Sequence, residues 1–244
     1  MPEPPEESEG LTPEVIHQGE LEAQIPELAG FELRGRRVTF EPGGATSAHD
    51  HDERPGALYV LEGSVTEIRN GEPQVFSAGE SWVEGTDANH WVLNHTDEDA
   101  VVIAIDVPEI SPEDVEKLPK AGTKTTVEGE APTEAEGVES EELGIFDIGE
   151  QIPGSEGIQL RMQRITIEPA GATENHTHAQ QPGFGYVLEG ELTEIRTKSG
   201  GTKKARTLAE GDGWSENADT EHWVTNATDE PVTFLAVDLV VEEG

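Results

Sequence analysis

The sequence predicts an all-β protein built from two similar domains in tandem. An internal repeat is the first observation: residues 25–69 match 152–196 at a constant offset, and 79–107 match 211–239 after a five-residue insertion. The second is that each copy, about 80 residues long, is rich in short stretches of alternating polarity, separated by Gly, Pro, Asn and Asp. The third observation is that helical periodicity is scarce. These features favour two sandwiches or barrels, each with a modest core of its own.

The candidate strands follow the same order in both copies. In the first copy the clearest are residues 37–40, 58–69, 91–94 and 101–107, where β-branched and aromatic residues alternate with polar ones. The insertion of the second copy falls at 197–204, a Gly- and Lys-containing stretch, and predicts a longer hairpin loop there.

Acidic segments flank the first copy. Residues 1–24 and 108–146 are strongly acidic, and we expect disorder to be confined to them. Within the second segment, Ser111 as N-cap and a following proline predict a short helix over 111–119, and 120–140 resemble a flexible linker. The predicted organisation is an acidic N-terminal segment at 1–24, a first domain at 25–107, an acidic linker at 108–146 and a second domain at 147–244.

The formal charge of −37 excludes several function classes. With 52 acidic and 15 basic residues, the chain would repel nucleic acid phosphates and anionic membranes. It has no cysteine, so thiolate metal sites are excluded, and no apolar run of membrane-spanning length. The N-terminus lacks the features of an export signal, and we expect a cytoplasmic protein. Because the two repeats are acidic as well as the flanking segments, the charge indicates adaptation to high salt in a halophile, with an anionic mesophilic surface as the alternative.

Six of the eight histidines occupy matched positions in the two copies. The pairs are His49/His176, His51/His178 and His90/His222. Histidines at i and i+2 on a strand share a face, and a third from a later strand can complete a converging set. Neutral imidazole suits transition metals such as zinc, copper, iron and nickel. Hydrogen-bonded or surface histidines are the alternative, which repetition of the whole set disfavours.

These residues carry a resemblance to the cupin superfamily. Its two motifs are Gly-x5-His-x-His-x3-4-Glu-x6-Gly and Gly-x5-Pro-x-Gly-x2-His-x3-Asn. The matching positions of the first copy are Gly43, His49, His51, Gly63, Gly79, His90 and Asn94, and those of the second are His176, His178, Gly190, Gly211, His222 and Asn226. The resemblance implies a double-stranded β-helix, or jelly roll, in each domain of a bicupin. It also implies one divalent metal (Fe, Mn, Zn, Ni or Cu) per domain, held by these six histidines.

The chain departs from the family where the family carries a ligating glutamate. Gly56 and Gly183 stand there, and neither has a side chain that could bind a metal. The resemblance therefore leaves three neutral histidines and open positions, which suits an anionic, chelating small molecule. A replacement carboxylate is conceivable: if the segments after Trp82 and Trp214 are strands facing inward, Glu84 and Glu216 become fourth ligands or general bases. The alternative is that both are surface residues.

Other residues that are matched between the two copies are weaker candidates for a role in the site. Glu53 and Gln180 are expected in loops, Glu62 and Glu189 in hairpins, and Tyr59 and Tyr186 in packing. Three arginine pairs are expected to form structural ion pairs, with a substrate role as the alternative: Arg34/Arg161, Arg37/Arg164 and Arg69/Arg196. Ala57-Leu58 in the first copy corresponds to Phe184-Gly185 in the second. Because the side chains differ in size at these positions, the two cavities need not accept the same ligand.

Three functions remain open from the sequence. The main hypothesis is a metal-dependent small-molecule oxidoreductase of dioxygenase type. Alternatives are a metal-dependent isomerase, lyase or hydrolase that does not use oxygen, and a non-catalytic small-molecule-binding protein. No macromolecular partner is indicated beyond a possible homodimer.

Overall fold

In the part of the chain that the structure describes, β-strands are the dominant secondary structure. The computed structural model describes residues 3–86, 89–111, 124–198 and 200–241, and in these ranges it contains no α-helix and one turn of 3-10 helix at Pro26–Leu28. The all-β prediction is confirmed. The short helix predicted at 111–119 lies, apart from Ser111, outside the described residues. None of the described segments is a helix long and apolar enough to cross a membrane.

Among the described residues, eight strands lie before residue 108. They are β1 (Glu9–Glu20), β2 (Glu32–Ala45), β3 (Gly56–Glu62), β4 (Ser64–Arg69), β5 (Glu72–Ser77), β6 (Ser81–Glu84), β7 (His90–Leu93) and β8 (Ala100–Asp106). Ten more follow. They are β9 (Thr125–Val127), β10 (Glu136–Asp147), β11 (Ile158–Ala172), β12 (His176–Thr177), β13 (Gly183–Glu189), β14 (Glu191–Thr197), β15 (Lys203–Ala209), β16 (Gly213–Glu216), β17 (Glu221–Thr225) and β18 (Val232–Val241).

The strands form two compact units. Unit 1 consists of the described residues of 1–20, 30–118 and 143–160, and unit 2 of those of 21–29, 119–142 and 161–244. Each unit thus combines most of one repeat with a short segment from the other.

Each unit closes around its own sheet. In unit 1 the order is β5-β4-β7-β2-β8-β3-β6, with β1 also pairing with β2. The sheet of unit 2 has the order β16-β13-β18-β11-β17-β14-β15-β9, with β12 also on β17 and β10 on β11. Non-consecutive strands are neighbours, as the jelly roll implied by the cupin resemblance requires. The loop between β14 and β15 is longer than that between β4 and β5, as the insertion at 197–204 predicts.

Each unit has a small apolar cluster, around Trp91 or Trp223, and one large cluster that fills its sheet. In unit 1 the large cluster includes Phe40, Val60 and Val102, and in unit 2 Ile167 and Val187 are among its members. Inward residues alternate along the outer strands, whereas β8 is buried along nearly its whole length. These cores hold the strands whose ends carry the histidines.

The acidic flanking segments differ from their predicted disorder. Residues 9–20 form β1, which runs antiparallel to β2, and residues 136–147 form β10, which pairs with β11. Leu11 and Val138 pack against the apolar clusters of units 1 and 2, respectively. Strand pairing and partly buried apolar residues hold both segments against their sheets, while their acidic residues stay exposed.

Candidate metal centres

Three histidines converge in unit 1. Ring nitrogens of His49, His51 and His90 all lie within 4.8 Å of one another. His90 begins β7, and His49 forms an antiparallel bridge with it, so backbone pairing sets the distance between these rings. The His-x-His pair was expected on one face of a strand, but it lies in the loop after β2. The bridge and the turn that follows it, rather than strand alternation, bring the rings together.

A matched group lies in unit 2. His176 in β12 pairs with His222 in β17, and His178 follows two positions later. The Nε2 atom of His222 lies 3.1 Å from Nε2 of His178 and 3.2 Å from Nε2 of His176. Two nitrogen ligands at about 2.1 Å from one metal, at a right angle, are about 3 Å apart. The spacing therefore fits a shared cation.

All six histidines turn Nδ1 toward an oxygen. The acceptors are the carbonyl oxygens of Ser47, Arg54, Glu174 and Gln181 and the carboxylates of Glu67 and Glu194. Because these oxygens only accept, the hydrogen of each neutral ring sits on Nδ1 and Nε2 presents a lone pair. Burial lowers the pKa of His49 and His178, and lowers that of His222 to about 4. Burial therefore favours the neutral form of these three imidazoles, which is the form that binds metal.

Two buried glutamates orient the third histidine of each group, and the sequence interpretation missed both. Glu67 Oε1 lies 2.7 Å from His90 Nδ1 and also accepts from Arg69. Burial opposes ionisation of Glu67, but these hydrogen bonds outweigh it and lower its pKa. In unit 2 the corresponding contacts lower the pKa of Glu194 to about 2, against the effect of its burial. The matched Glu-x-Arg pattern on β4 and β14 was the available signal.

Glu84 and Glu216 face inward. An inward orientation is the condition under which the sequence predicts a role for these two glutamates in the metal site. Glu84 is buried, with Oε2 3.0 Å from His51 Nε2 and Oε1 3.6 Å from His90 Nε2. Glu216 is the matched residue of unit 2, with Oε2 3.4 Å from His178 Nδ1 and Oε1 3.5 Å from His222 Nε2. A surface location is therefore wrong for both. Whether they act as ligands or bases stays a prediction.

The glycines at the family's glutamate position lie directly across from these carboxylates. Gly56 pairs with Glu84, and Gly183 pairs with Glu216, each between adjacent antiparallel strands. A Cβ at Gly56 would lie 2.7 Å from Glu84 Oε2, and one at Gly183 would lie 3.0 Å from Glu216 Oε2. Each carboxylate thus reaches the family's ligand position from the neighbouring strand.

Trp214 forms a hydrogen bond with the glutamate of its unit, whereas Trp82 does not. Trp214 Nε1 donates to Glu216 Oε1 at 2.7 Å, whereas Trp82 stacks on Phe76 and its buried Nε1 has no partner. The residue opposite the ring explains the difference. Leu58 opposes Trp82, whereas Gly185 opposes Trp214 and lets the indole lie where a Cβ would be only 2.0 Å from its ring.

The glutamate of unit 2 also has a shifted pKa. Burial raises the pKa of Glu216 to about 8, although the Trp214 hydrogen bond opposes this. A cation among the histidines of unit 2 would favour the ionised form and lower the pKa again. The carboxylate is therefore suited to a site that brings its own positive charge.

A second charged cluster borders the site of unit 1. Buried Asp106 binds Arg34 through two hydrogen bonds and Arg36 through one, and Arg54 Nη1 lies 3.6 Å away. Burial opposes ionisation of Asp106, but the arginines outweigh it and lower its pKa. Arg36, Arg54 and Asp106 line the same cavity of about 290 Å³ as His51.

The cavity of unit 2, about 340 Å³, has a different charge. Arg161 binds Asp238 through two hydrogen bonds, as Arg34 binds Asp106. The positions that match Arg36 and Arg54, however, carry Gln163 and Gln181. Gln181 donates to Asp238, so the contact survives without the charge.

In each unit, a buried glutamine donates hydrogen bonds to the backbone of two site residues, one histidine and one glutamate. Gln151 Nε2 donates to the carbonyl oxygens of His51, at 2.8 Å, and Glu84, at 3.0 Å. Gln24 makes the matched contacts in unit 2, at 2.6 Å and 3.5 Å. Each glutamine comes from the short segment that its unit takes from the other repeat. The sequence interpretation missed both, although Gln24 and Gln151 are matched in the repeat.

The other matched residues singled out from the sequence have structural positions rather than places among the histidine rings. Exposed positions are those of Glu53, Gln180, Glu62 and Glu189, whereas Tyr59 and Tyr186 are buried in packing. The structural interpretation of the three arginine pairs is confirmed by ion pairs, which are Arg34–Asp106, Arg161–Asp238, Arg37–Glu62, Arg164–Glu141, Arg69–Glu67 and Arg196–Glu194. The motif asparagines are structural: Asn94 bridges the carbonyl oxygens of Phe40 and Glu98, and Asn226 repeats this in unit 2.

Fold and site together define a two-domain metal-binding β-barrel protein. Residues 36–106 and 163–238 both match the Cupin domain family. The chain belongs to the cupin family and is a bicupin. An 87-residue stretch is 30% identical to the probable germin-like protein subfamily 2 member 5 of Arabidopsis thaliana, and it covers 36% of this chain and 41% of that protein.

Solved structures of oxalate decarboxylases share the two-domain fold. A variant of the Bacillus subtilis enzyme aligns with a TM-score of 0.57 at 18% identity, covering 87% of this chain and 70% of that one. A formate complex of the Lactobacillus farciminis enzyme aligns with a TM-score of 0.58 at 15% identity, covering 96% and 82%. At these identities the similarity shows the bicupin fold alone.

Proposed function

We propose that the protein is a metal-dependent lyase-type enzyme acting on a small anionic substrate that chelates the metal. The observation that carries the proposal is the position of Glu84, a buried carboxylate 3.0 Å from His51 Nε2 on the wall of a cavity of about 290 Å³. Oxalate decarboxylases are among the proteins that share the fold, which favours the same class of chemistry.

The chain's own groups have separate tasks in this proposal. The Nε2 atoms of His49, His51 and His90 would hold a divalent metal, which supplies Lewis-acid stabilisation of negative charge on the substrate. Glu84 exchanges a proton with the substrate, since a carboxylate within reach of the reacting atoms is suited to general acid–base work. Apolar side chains, including Leu58 and Val92, line part of the same cavity.

The carboxylate also weakens the dioxygenase hypothesis. That interpretation started from three neutral histidines and no carboxylate near the metal. With Glu84 beside His51, a positioned proton acceptor is present, and chemistry without net oxidation needs no further component. An oxidoreductase remains the competing hypothesis, and the stoichiometry of oxygen distinguishes the two.

The test combines metal analysis with turnover. Purified protein is loaded in turn with manganese, iron, zinc, nickel and copper, its metal content is measured by mass spectrometry, and small mono- and dicarboxylates are assayed by product analysis with an oxygen electrode. We expect turnover that requires metal and consumes no stoichiometric oxygen. Oxygen uptake equal to substrate loss would support the dioxygenase hypothesis instead. Absence of bound metal would contradict the proposal.

A matched pair of variants tests the role of Glu84. Glu84→Gln should reduce kcat by about 100-fold or more while the protein stays folded, because the amide cannot exchange the proton. Glu62→Gln removes an exposed carboxylate and is the control. Unchanged turnover in Glu84→Gln would show that this carboxylate is not the base.

A further inference from the structure

The two cavities differ at three positions that carry a charge in one unit and not in the other, one of them being Ser47 of unit 1, which matches Glu174 of unit 2. Where unit 1 has Arg36 and Arg54, unit 2 has Gln163 and Gln181. The arginine–aspartate pair beside them is kept in both units. Compared with unit 1, the cavity of unit 2 therefore lacks two positive charges and carries one more carboxylate.

The arginines of unit 1 exceed what their carboxylate needs. Arg34 alone satisfies Asp106 through two hydrogen bonds, and Arg36 adds a third. Arg54 Nη1 is 3.6 Å from the same oxygen, too far for a hydrogen bond, and the buried Nε of Arg36 has no partner. Guanidinium donors thus remain for a ligand, in a chain whose net charge is −37.

The arginine cluster is aligned with the metal-binding residues. Asp106, Gly56 and Glu84 are directly paired across β8, β3 and β6, and form one row. Two strand spacings, about 10 Å, separate the ends of this row, and the residue between them has no side chain. Arg54 is also coupled to the histidines, because its carbonyl oxygen accepts from His51 Nδ1. A cavity of about 290 Å³ beside this row accommodates only a small molecule.

Unit 2 shows that glutamine fits the same framework. Gln181 donates to Asp238, and Gln163 turns to Ser140 at 3.1 Å. Glu174 also lines that cavity. Before any metal binds, the charged side chains of unit 2 therefore favour an anion less than those of unit 1 do.

We propose that the cavity of unit 1 is selective for a small dianion, such as a short dicarboxylate, and that unit 2 is not. One carboxylate lies toward the histidine group, and Arg36 and Arg54 bind the other through charge-assisted hydrogen bonds. This inference rests on the proposed function for the metal end of the ligand, and it assigns the specificity of the two sites to two residue positions.

The test is calorimetric binding of malonate and acetate to the metal-loaded full chain. The double variant Arg36→Gln/Arg54→Gln copies unit 2, so the variant should fold, which circular dichroism and metal content verify. Malonate should bind about tenfold or more weakly to it, since two charge-assisted contacts are lost, whereas acetate binding should change little. If the double variant loses fold or metal, Arg54→Gln alone is used, because Arg34 and Arg36 still bind Asp106.

Variants that disable one metal group assign the site. His51→Ala should abolish the malonate preference over acetate, and His178→Ala should leave it intact. Equal malonate affinity in wild-type and double-variant protein, or loss of the preference in His178→Ala alone, would overturn the inference. Because binding is measured without turnover, failure of the proposed catalysis leaves a separate signature: arginine-dependent malonate binding without reaction.

Discussion

Glu84 on β6 lies directly across from Gly56 on β3, and its Oε2 is 2.7 Å from where a Cβ at position 56 would be. The family places its glutamate at the position of Gly56, so the chain brings a carboxylate to the same region from the adjacent strand. The glycine and the glutamate are therefore one feature, since a side chain at position 56 would displace the carboxylate.

Gly56→Ala should disturb the site of unit 1. The new Cβ would also meet Ile105 O at 2.9 Å, and a backbone atom cannot move aside easily. We expect a loss of about 1–3 kcal/mol in the free energy of unfolding and weaker metal binding in unit 1 only. Denaturant titration and metal analysis measure these effects. Gly85→Ala is the control, because nothing lies within 4 Å of its Cβ position; equal behaviour of the two variants would contradict the relationship.

Spacing along the chain was enough to find the histidines but not their surroundings. The repeat and the motif positions identify His49, His51 and His90 because each lies at a fixed distance from a glycine in the same copy. Which residue lies across from Gly56 depends on the register of β3 with β6, which no spacing within one strand encodes.

The arginines and glutamines of the site were missed for another reason. Arg36 and Arg54 are replaced by glutamines in the second copy, so they are not among the residues that the two copies share. Gln151 and Gln24 are matched but lie 67 or more residues from the backbone groups that they bind. Such contacts follow from tertiary assembly, and local pattern contains no sign of them.

Gln151→Leu should damage the site of unit 1 without removing a charge or a ligand. The variant leaves the carbonyl oxygens of His51 and Glu84 without their buried donor, which costs about 1–3 kcal/mol. We expect metal affinity to fall in unit 1, while Gln24→Leu should act in unit 2. Metal titration in backgrounds lacking one histidine group distinguishes them. If either variant affected both units equally, the assignment of each glutamine to one site would be wrong.

Gly185→Ala should release Glu216 from Trp214. Its Cβ would lie 2.0 Å from the indole ring, so the ring must move and break the 2.7 Å hydrogen bond. The cost should be about 1–3 kcal/mol of stability. The indole N–H resonance of Trp214, identified by its loss in Trp214→Phe, should shift toward the value of a free indole. An unchanged resonance in Gly185→Ala would contradict the dependence of the hydrogen bond on the glycine.

His17 should make the folded protein sensitive to mild acid. Burial lowers the pKa of His17 in β1 from 6.5 to about 3. Between these values the unfolded chain binds a proton that the folded chain excludes, so stability is lost as pH falls below about 6.5. The loss should approach about 1.4 kcal/mol per pH unit for this group. His17→Leu removes it, so urea titrations between pH 8 and pH 5 should give a shallower decline for the variant than for the wild type. At pH 8 the imidazole is neutral in both states, and the difference between the two proteins there measures packing alone. Parallel declines in the two proteins would show that His17 is not excluded from protonation in the fold.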